Sequence, residues 1–232
     1  MQITPLASSS KANCIHISDP AGNLLLDCGL PLKQIRQGLN FQTSGLAGVL
    51  LTHCHNDHSH GAKEIAAAGI PIYGLQETFD ALGLSGHRVH AVKAMEEFNV
   101  GSWVVLPFEI IHDVPGLGFL LTNKTERVLY LTDSAYCKYR FERLTTILIE
   151  CNHSRDIIDA NIEAGIIPTE MRHRLIRTHM GLDVVKGILS ANDLSQVQAI
   201  YLTHLSEHNS DADRFKRDVM QATGKPVYIA QE

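Results

Sequence analysis

Four potential metal ligands stand within six residues of the sequence: His53, His55, Asp57 and His58. They directly follow the apolar run 49–52, which predicts a buried strand. Alternate residues of an extended segment point the same way, so His53 and His55 can reach one ion. Asp57 and His58 lie beyond the turn and can reach a second ion. Three imidazoles with one carboxylate suit zinc, manganese or iron better than calcium. A surface histidine-rich turn is the alternative, but it is costly unless its groups are solvated or coordinated.

Three further potential ligands each follow an apolar run later in the chain. His112 follows residues 108–111, Asp133 follows residues 128–132, and His204 follows residues 200–203. One such residue alone is commonly a structural histidine or a turn-capping aspartate. Their repetition at strand ends, in a chain that already holds the HxHxDH run, predicts ligands that gather at one edge of an α/β fold.

The hydrophobic pattern predicts the elements that would position these groups. Strands followed by helices occur twice, in residues 1–83 and 87–232, as expected of two sheets packed face to face with helices outside. Residues 7–13 are predicted as a polar loop, 103–112 as a strand and 182–190 as a helix. Because no linker or repeat interrupts the pattern, we predict one domain over residues 1–232.

Composition narrows the classes of protein that remain. The net charge of -5 excludes a generally basic surface, which disfavours nonspecific binding of a long nucleic acid. The five cysteines form no CxxC pair, so free thiols in a reducing compartment are expected. The sequence shows neither a secretory signal nor an apolar stretch approaching about 20 residues. We therefore expect a cytoplasmic protein without a membrane segment.

HxHxDH followed by the three later ligands resembles the metallo-β-lactamase superfamily, over essentially the whole chain. The resemblance implies an α/β fold, the αββα sandwich, with two divalent ions, zinc or manganese, about 3.5–4 Å apart and sharing a hydroxide. For the first ion the implied ligands are His53, His55 and His112. For the second they are Asp57, His58 and His204. Asp133 would bridge the ions, and Asp27 matches the family's structural aspartate, which orients the HxHxDH loop.

Shorter motifs resemble one branch of this superfamily, the YycJ/WalJ-like proteins, which are related to ribonuclease J and tRNase Z. The matching segments are residues 6–14, 150–153, 178–182 and 202–209. Members of the branch act as nucleic-acid phosphodiesterases, including 5′-to-3′ DNA exonucleases. This chain departs from the branch pattern at Ala12, at Cys151 and at Met180-Gly181, and it has no room for the β-CASP insert of ribonuclease J.

The resemblance and the residues together predict hydrolysis of a phosphodiester by a metal-bound hydroxide. Asp57 and His179 are the candidate catalytic residues. His179 precedes the helix predicted over residues 182–190, where it could bind a phosphate oxygen or protonate the leaving oxygen; the alternative is that it caps the helix or packs. The candidate substrate-binding residues are Ser9, Ser10, Asn13, Asn152 and His153. For Asn152 the alternative is that it caps the helix predicted from Arg155.

Several functions are compatible with the sequence. The branch motifs favour a phosphodiesterase acting on DNA or RNA ends, whereas the acidic charge and the missing insert favour a small cyclic nucleotide. A thioester or lactam hydrolase is a third hypothesis. A binding module with structural metals is a fourth, disfavoured because structural zinc sites are usually closed tetrahedra. The expected partner is a nucleic acid or nucleotide phosphodiester, and the protein is a possible homodimer.

Overall fold

A computed structural model describes residues 1–20 and 22–230, and this part of the chain divides into two compact units. The first unit comprises residues 1–109 and 114–125, and the second comprises residues 110–113 and 126–230. In the described residues, none of the helices has the length and apolar character needed to cross a membrane. The single-domain expectation stays a prediction.

The first unit contains a mixed sheet with helices between its later strands. In chain order its first elements are β1 (Gln2–Ser9), β2 (Ala12–Asp19), β3 (Gly22–Leu26), α1 (Leu32–Gly38), β4 (Leu46–Leu50), α2 (Asn56–Ser59), α3 (Ala62–Ala67), β5 (Ile72–Gly74), α4 (Gln76–Leu82) and β6 (Val89–Ala91). The sheet order is β1-β2-β3-β4-β5-β6. Strands β1 to β3 are antiparallel, and β3 to β6 are parallel. The helices bury apolar residues such as Ile35, Ile65 and Phe79, so the sheet has a packed core.

The polar loop predicted over residues 7–13 is wrong. Strands β1 and β2 continue into this segment and pair Ser8 with Asn13 and Ser9 with Ala12, which leaves a tight turn at residues 10–11. Composition suggested a loop because small polar residues dominate, but the backbone hydrogen bonds of a hairpin satisfy the main chain whatever the side chains are. As a result Asn13 is buried instead of solvated.

Three antiparallel strands complete the first unit: β7 (Phe98–Val100), β8 (Trp103–Glu109) and β9 (Leu117–Thr122). The strand predicted over residues 103–112 therefore ends too late. In the second unit, the amide of Ile111 donates to the Ser134 hydroxyl, and its carbonyl accepts from the Ala135 amide. Residues 110–113 thus form a loop tied to the segment after Asp133, and His112 lies in that loop.

Parallel strands form the sheet of the second unit. Its elements are β10 (Arg127–Leu131), β11 (Thr146–Glu150), α5 (Arg155–Glu163), α6 (Thr169–Thr178), α7 (Leu182–Ser190), β12 (Ala199–Thr203), α8 (Ala212–Thr223) and β13 (Val227–Ile229). The strand order is β13-β12-β11-β10, with parallel pairing throughout. Strands of this kind are buried on both faces, which explains their nearly continuous apolar sequences. Parallel pairing also brings the carboxyl ends of β10, β11 and β12 to the same edge.

Candidate metal centre

In the first unit, the HxHxDH residues lie around the start of a short helix after β4. His53 is fully buried, His55 precedes α2 in an extended conformation, and Asp57 and His58 lie within α2. The His53 ring centroid lies 4.7 Å from that of His55 and 4.4 Å from that of His58. The sequence predicted a turn at α2, and the structure forms a single helical turn there. The structure brings the three imidazoles of this run together.

A buried carboxylate orients His58. Asp27 is fully buried, and its Oδ1 accepts hydrogen bonds from the Thr52 amide at 2.8 Å and the Thr52 hydroxyl at 2.9 Å. Its Oδ2 lies 2.8 Å from His58 Nδ1. This contact places the imidazole proton on Nδ1, so Nε2 presents a lone pair, 3.3 Å from Asp57 Oδ2. The arrangement agrees with the orienting role that the resemblance implies for Asp27.

The candidate substrate residues of the first unit occupy different environments. Asn13 is buried beside the ligands, with Nδ2 3.1 Å from His58 Nε2, 3.4 Å from Asp57 Oδ2 and 2.9 Å from the Ser9 carbonyl. The Ser9 hydroxyl accepts a hydrogen bond from the Lys11 amide, and Ser10 is exposed. Asn13 therefore holds the ligand segment as well as the β1–β2 hairpin. Whether these residues bind substrate stays a prediction.

Glycine is required at position 29 by the close approach of two backbones. A Cβ at Gly29 would lie 1.8 Å from the Asp57 carbonyl oxygen and 2.8 Å from the Asn13 amide nitrogen. The Gly29 amide also donates to the Asn13 carbonyl at 2.8 Å. Since the obstructing atoms belong to the backbone, they cannot rotate away from an added methyl group. The segment after Asp27 is thereby packed directly against α2.

In the second unit, Asp133 lies among imidazoles at the carboxyl ends of the strands. Its Oδ1 is 3.4 Å from His204 Nε2, and its Oδ2 is 3.8 Å from His112 Nε2. Asp133 and His204 both have left-handed backbones, with φ of 47° and 52°. Left-handed φ is uncommon for residues other than glycine, and such strained positions cluster at functional sites. The two oxygens of Asp133 thus face different histidines, as a bridging carboxylate requires.

His112 is oriented by the backbone. Its Nδ1 lies 2.9 Å from the Thr178 carbonyl oxygen, so Nδ1 carries the proton and Nε2 presents its lone pair. Burial lowers the pKa of His112 and favours the neutral ring, and the charge of the Asp133 carboxylate opposes this effect only in part. The bare Nε2 lies 3.1 Å from Asp113 Oδ1 as well as facing Asp133. A lone pair and two carboxylates turned toward one another form a donor set that fits a divalent cation.

Glu150 is the residue of this cluster that the sequence did not single out for a role. It is fully buried at the end of β11, and its Oε1 lies 2.6 Å from His179 Nδ1 and 3.2 Å from His204 Nδ1. Its Oε2 accepts hydrogen bonds from the Ser134 and Met180 amides. Burial raises the pKa of Glu150, but the charge and hydrogen bond of His179 together with the hydrogen bond of His204 outweigh burial, and the pKa lies below its usual value. The signal was a lone carboxylate closing an apolar strand.

His179 is held by Glu150 and stands beside the ligands. Its Nδ1 is 3.7 Å from Asp133 Oδ1, and its ring stacks on that of His204 with centroids 5.4 Å apart. Burial lowers the pKa of His179, but the charge and hydrogen bond of Glu150 together with the charge of Asp133 outweigh burial, so the net pKa lies above its usual value. The residue preceding α7 is Gly181, so the alternative that His179 caps that helix is wrong.

Asn152 and His153 lie between β11 and α5. The Asn152 amide group donates to the His204 carbonyl at 3.1 Å, which fixes the turn that carries His204. The residue that precedes α5 is Ser154, so the alternative in which Asn152 caps this helix is also wrong. His153 is buried, and its backbone forms an isolated bridge with Gly181. A substrate role for both residues stays a prediction.

An open cleft lies beside His112. It is lined by His112, Asp113, His173, Arg174, Arg177 and Thr178. Most of these residues belong to α6, and in this helix Arg172 is paired with Asp159, with the Arg172 Nε 2.6 Å from the Asp159 Oδ1. Arg177 is exposed, and the Arg174 guanidinium lies 3.9 Å from Asp113. The basic residues of α6 are therefore divided between a surface ion pair and a cleft beside a candidate ligand.

Comparison with known proteins identifies the kind of domain. A family model described as a β-lactamase superfamily domain matches residues 22–205. Exodeoxyribonuclease WalJ of Streptococcus pneumoniae serotype 2 is 26% identical over 223 residues, which cover 88% of this chain and 81% of that protein. This similarity extends over most of both chains.

Solved structures share the fold. The metallo-β-lactamase fold protein YhfI from Bacillus subtilis superimposes with a TM-score of 0.77 at 19% identity, covering 99% of this chain and 95% of its own. Human tRNase Z, short form, superimposes with a TM-score of 0.67 at 16% identity, covering 100% and 97%. At such identities the likeness establishes the fold alone. The predicted metallo-β-lactamase fold is confirmed.

Proposed function

Because this chain belongs to the β-lactamase superfamily, we propose that it is a di-metal hydrolase that cleaves phosphodiester bonds at the ends of nucleic acid strands. The observation that carries the proposal is the Asp133, Glu150, His179 and His204 cluster, whose ligating atoms all lie within 4.8 Å of one another. It combines metal-ligating groups with an imidazole held by a carboxylate, which is the combination that acid–base hydrolysis needs.

We propose that the chain holds a pair of zinc or manganese ions, with the ligand assignment that the resemblance implies. His53, His55 and His112 would hold the first ion. Asp57, His58 and His204 would hold the second. Asp133 would be the ligand shared by both. Such ions, when bound, supply Lewis-acid activation of water and of phosphoryl oxygens. Support comes from the tautomers of His58, His112 and His204, because each has a partner at Nδ1 and turns Nε2 toward a carboxylate.

The protein's own groups supply the remaining chemistry. Glu150 accepts the Nδ1 proton of His179 in a hydrogen bond and stabilises the imidazolium form, as the raised pKa of His179 indicates. His179 then donates a proton to the oxygen that leaves the phosphorus, which avoids releasing an unprotonated alkoxide. Asp27 and Glu150 act on the reaction through the histidines that they hold.

The proposed substrate class rests on the branch motifs, on the name of the WalJ relative and on the cleft beside His112. The cleft places Arg174 and Arg177 where a phosphate backbone can approach. The net charge of -5 is the observation that favours the second candidate, a small cyclic nucleotide. We propose residence in a reducing compartment, the cytoplasm, because the five cysteines are free thiols within the described residues. The possible homodimer stays a prediction.

The proposal is tested with protein stripped by a chelator and reconstituted with zinc or manganese. Metal content is measured by mass spectrometry, and turnover is measured on 5′-phosphorylated double-stranded DNA, single-stranded RNA, cyclic mononucleotides and bis(p-nitrophenyl) phosphate. We expect about two ions per chain and turnover of nucleic acid ends and of the generic diester. Turnover of cyclic nucleotides and of no nucleic acid would show that the substrate is a small cyclic nucleotide and not a nucleic acid end. Full metal loading without hydrolysis of any phosphodiester would refute the proposed function.

A further inference from the structure

Two large apolar side chains are exposed beside proposed ligands of the second unit. Ile111 directly precedes His112 and is 47% exposed, and Tyr136 lies shortly after Asp133 and is 54% exposed. Neither side chain has a role in the mechanism described above. Single exposed apolar residues are ordinary, but two of them on loops that also carry proposed ligands indicate a surface that an apolar group covers.

Hydrogen bonds join the two loops that carry these side chains. The Ala135 amide donates to the Ile111 carbonyl at 2.8 Å. The Ser134 hydroxyl accepts from the Ile111 amide at 2.9 Å and donates to the Tyr136 carbonyl at 2.7 Å. Backbone segments paired in this way lie about 5 Å apart. Ile111 and Tyr136 therefore stand on adjacent segments, and the contacts that fix these segments also fix the loops of two proposed ligands.

Buried side chains anchor the loop that continues from Tyr136 toward β11. Cys137 and Phe141 are both buried, and the Phe141 amide donates to Asn192 Oδ1 at 2.7 Å. Because Cys137 is turned into the unit, its neighbour Tyr136 is left facing solvent. The tyrosine is thus presented by a fixed loop, and ordering its ring on binding costs little conformational entropy because the side chain has few rotatable bonds.

The same loop carries positive charge. Residues 134–143 contain three cations, Lys138, Arg140 and Arg143, and one anion, Glu142, all of them exposed. The loop therefore has a net charge of +2 (3 minus 1) in a chain whose net charge is -5. The Lys138 ammonium also lies 5.1 Å from the centre of the Tyr139 ring. Interleaved tyrosines and cations match a ligand that combines flat rings with negative charge, as a single nucleic acid strand does.

We propose that Tyr136 and Ile111 form a stacking platform for an unpaired nucleobase next to the phosphodiester that is hydrolysed. The inference rests on the proposed function and adds a requirement to it, namely a base on the nucleotide beside the scissile bond. The base stacks on the Tyr136 ring and covers Ile111, and Arg140 pairs with a backbone phosphate. Because every base has a π face, the platform accepts unpaired nucleotides of any sequence.

The test compares strands with and without bases near the end. Protein reconstituted with zinc is titrated with fluorescent single-stranded oligodeoxynucleotides whose linkages are phosphorothioates, which resist hydrolysis. The terminal nucleotides carry either adenine or an abasic tetrahydrofuran residue, so the two strands have the same charge. We expect the wild-type protein to prefer the adenine-bearing strand by roughly tenfold, the scale of stacking for one base.

Substitutions in the platform separate the ring from the charge. Tyr136→Ala should remove most of the preference, whereas Tyr136→Phe should keep it within about twofold, because phenylalanine retains the ring. Arg140→Gln should weaken the binding of both strands to the same extent, because it removes a contact to phosphate and not to a base. The matched control is Tyr228→Ala, which truncates another exposed tyrosine of the same unit, in β13, and should leave both affinities unchanged.

Fluorescence of a base analogue reports the stacking itself. 2-Aminopurine in the terminal nucleotide loses fluorescence when it stacks on an aromatic ring. We expect strong quenching with wild-type protein and with Tyr136→Phe, and little quenching with Tyr136→Ala. The thermal midpoint of Tyr136→Ala is compared with that of wild type. If this variant does not fold, the comparison of adenine-bearing with abasic strands on wild-type protein decides the question.

Equal affinity for the adenine-bearing and abasic strands overturns the proposal, as does no measurable affinity for either. A Tyr136→Phe variant that loses the preference as fully as Tyr136→Ala also overturns it, since the hydroxyl and not the ring would then make the contact. If Tyr136→Ala changes the oligomeric state in sedimentation velocity and keeps the preference, the surface joins two copies of the chain and the platform is wrong.

Hydrolysis of bis(p-nitrophenyl) phosphate by the wild-type protein separates these results from the fate of the proposed function. If that diester is cleaved and the preference for bases is absent, only the platform fails. If the preference is present and no diester is cleaved, the proposed function fails and the platform stands as a binding surface for single strands.

Discussion

The two units assemble candidate ligands by different physical means. In the first unit, His53, His55, Asp57 and His58 are close because they are close in sequence, after β4 and around one helical turn. In the second unit, Asp133 and His204 are 71 positions apart in the chain (204 minus 133) and meet because parallel pairing aligns the ends of their strands. Local spacing fixes the first cluster, whereas sheet register fixes the second.

Each cluster contains histidines that contact a fully buried carboxylate, but the two carboxylates hold different groups. Asp27 holds one imidazole and the Thr52 backbone, so its contacts concern a proposed ligand alone. Glu150 holds two imidazoles, that of the proposed ligand His204 and that of His179, which is not assigned to either ion. From this difference we expect disruption of the first cluster to act through metal binding, and disruption of the second to act on proton transfer as well.

The largest effect is expected from Asp57→Asn in the first cluster. The change removes a ligand charge from the proposed site, and we expect kcat/KM for bis(p-nitrophenyl) phosphate to fall by about a thousandfold or more. The Asp57 side chain is 24% exposed, so the thermal midpoint should move by no more than a few degrees. Steady-state kinetics and thermal unfolding on the same metal-loaded preparation make the measurement.

Asp80→Asn is the matched control, since Asp80 is an exposed helical carboxylate of the first unit that accepts from Gln76. It should leave both quantities unchanged. Activity of Asp57→Asn within tenfold of wild type would mean that the HxHxDH run is not a ligand cluster. The comparison between the units would then lose its first member.

The contrast between local and long-range assembly also explains which features the sequence could predict. The spacing of HxHxDH predicts the first cluster, and the apolar runs before Asp133 and His204 predict part of the second. The bounds predicted for α7 agree with the structure, because it is a continuous amphipathic segment, and the apolar run 200–203 lies within β12. The predicted family and fold are confirmed.

Features that depend on tertiary contacts were not predictable in the same way. The β1–β2 hairpin runs through a segment whose composition indicates a loop, because pairing with a neighbouring strand outweighs weak propensity. A single acidic residue at a strand end has no distinctive spacing, so the sequence does not indicate a role for Glu150. The register of β11 and β12 pairs Glu150 with Thr203 and so brings it beside His204, and its contact with His179 depends on the segment between α6 and α7.

Glu150→Gln tests the second cluster and should reduce kcat by about a hundredfold. The substitution keeps the shape but places an amide beside donors that need an acceptor, either the two imidazole Nδ1 atoms or the Ser134 and Met180 amides. Leaving such buried groups without a carboxylate should also cost roughly 3 kcal/mol of unfolding free energy. Single-turnover kinetics at saturating metal and denaturant unfolding measure the two effects.

His179→Gln separates the two tasks of Glu150, because it removes the proton donor and leaves His204 and its carboxylate in place. We expect a similar loss of kcat with normal metal content. If His179→Gln instead loses metal, His179 is a ligand and the proposed division of roles is wrong. If Glu150→Gln lowers stability with kcat unchanged, the carboxylate has a structural role only.

The smallest of the expected losses belongs to Asp27→Asn and should appear in metal affinity. Asparagine tolerates the left-handed φ of 59° at this position, so backbone strain does not confuse the result. Its amide can satisfy only part of the three contacts that Asp27 makes with Thr52 and His58, so the His58 ring loses its fixed tautomer. We expect the affinity for the weaker-bound ion to fall about 10- to 100-fold, and kcat at saturating metal to stay within a few-fold of wild type.

Competition with a chromophoric chelator measures the affinity. The control is Asp19→Asn, which alters another carboxylate of the same unit, one that accepts a hydrogen bond from the Gly22 amide. A variant that binds metal normally but has lost kcat would show that Asp27, like Glu150, acts on the chemistry, and the difference between the two units would disappear.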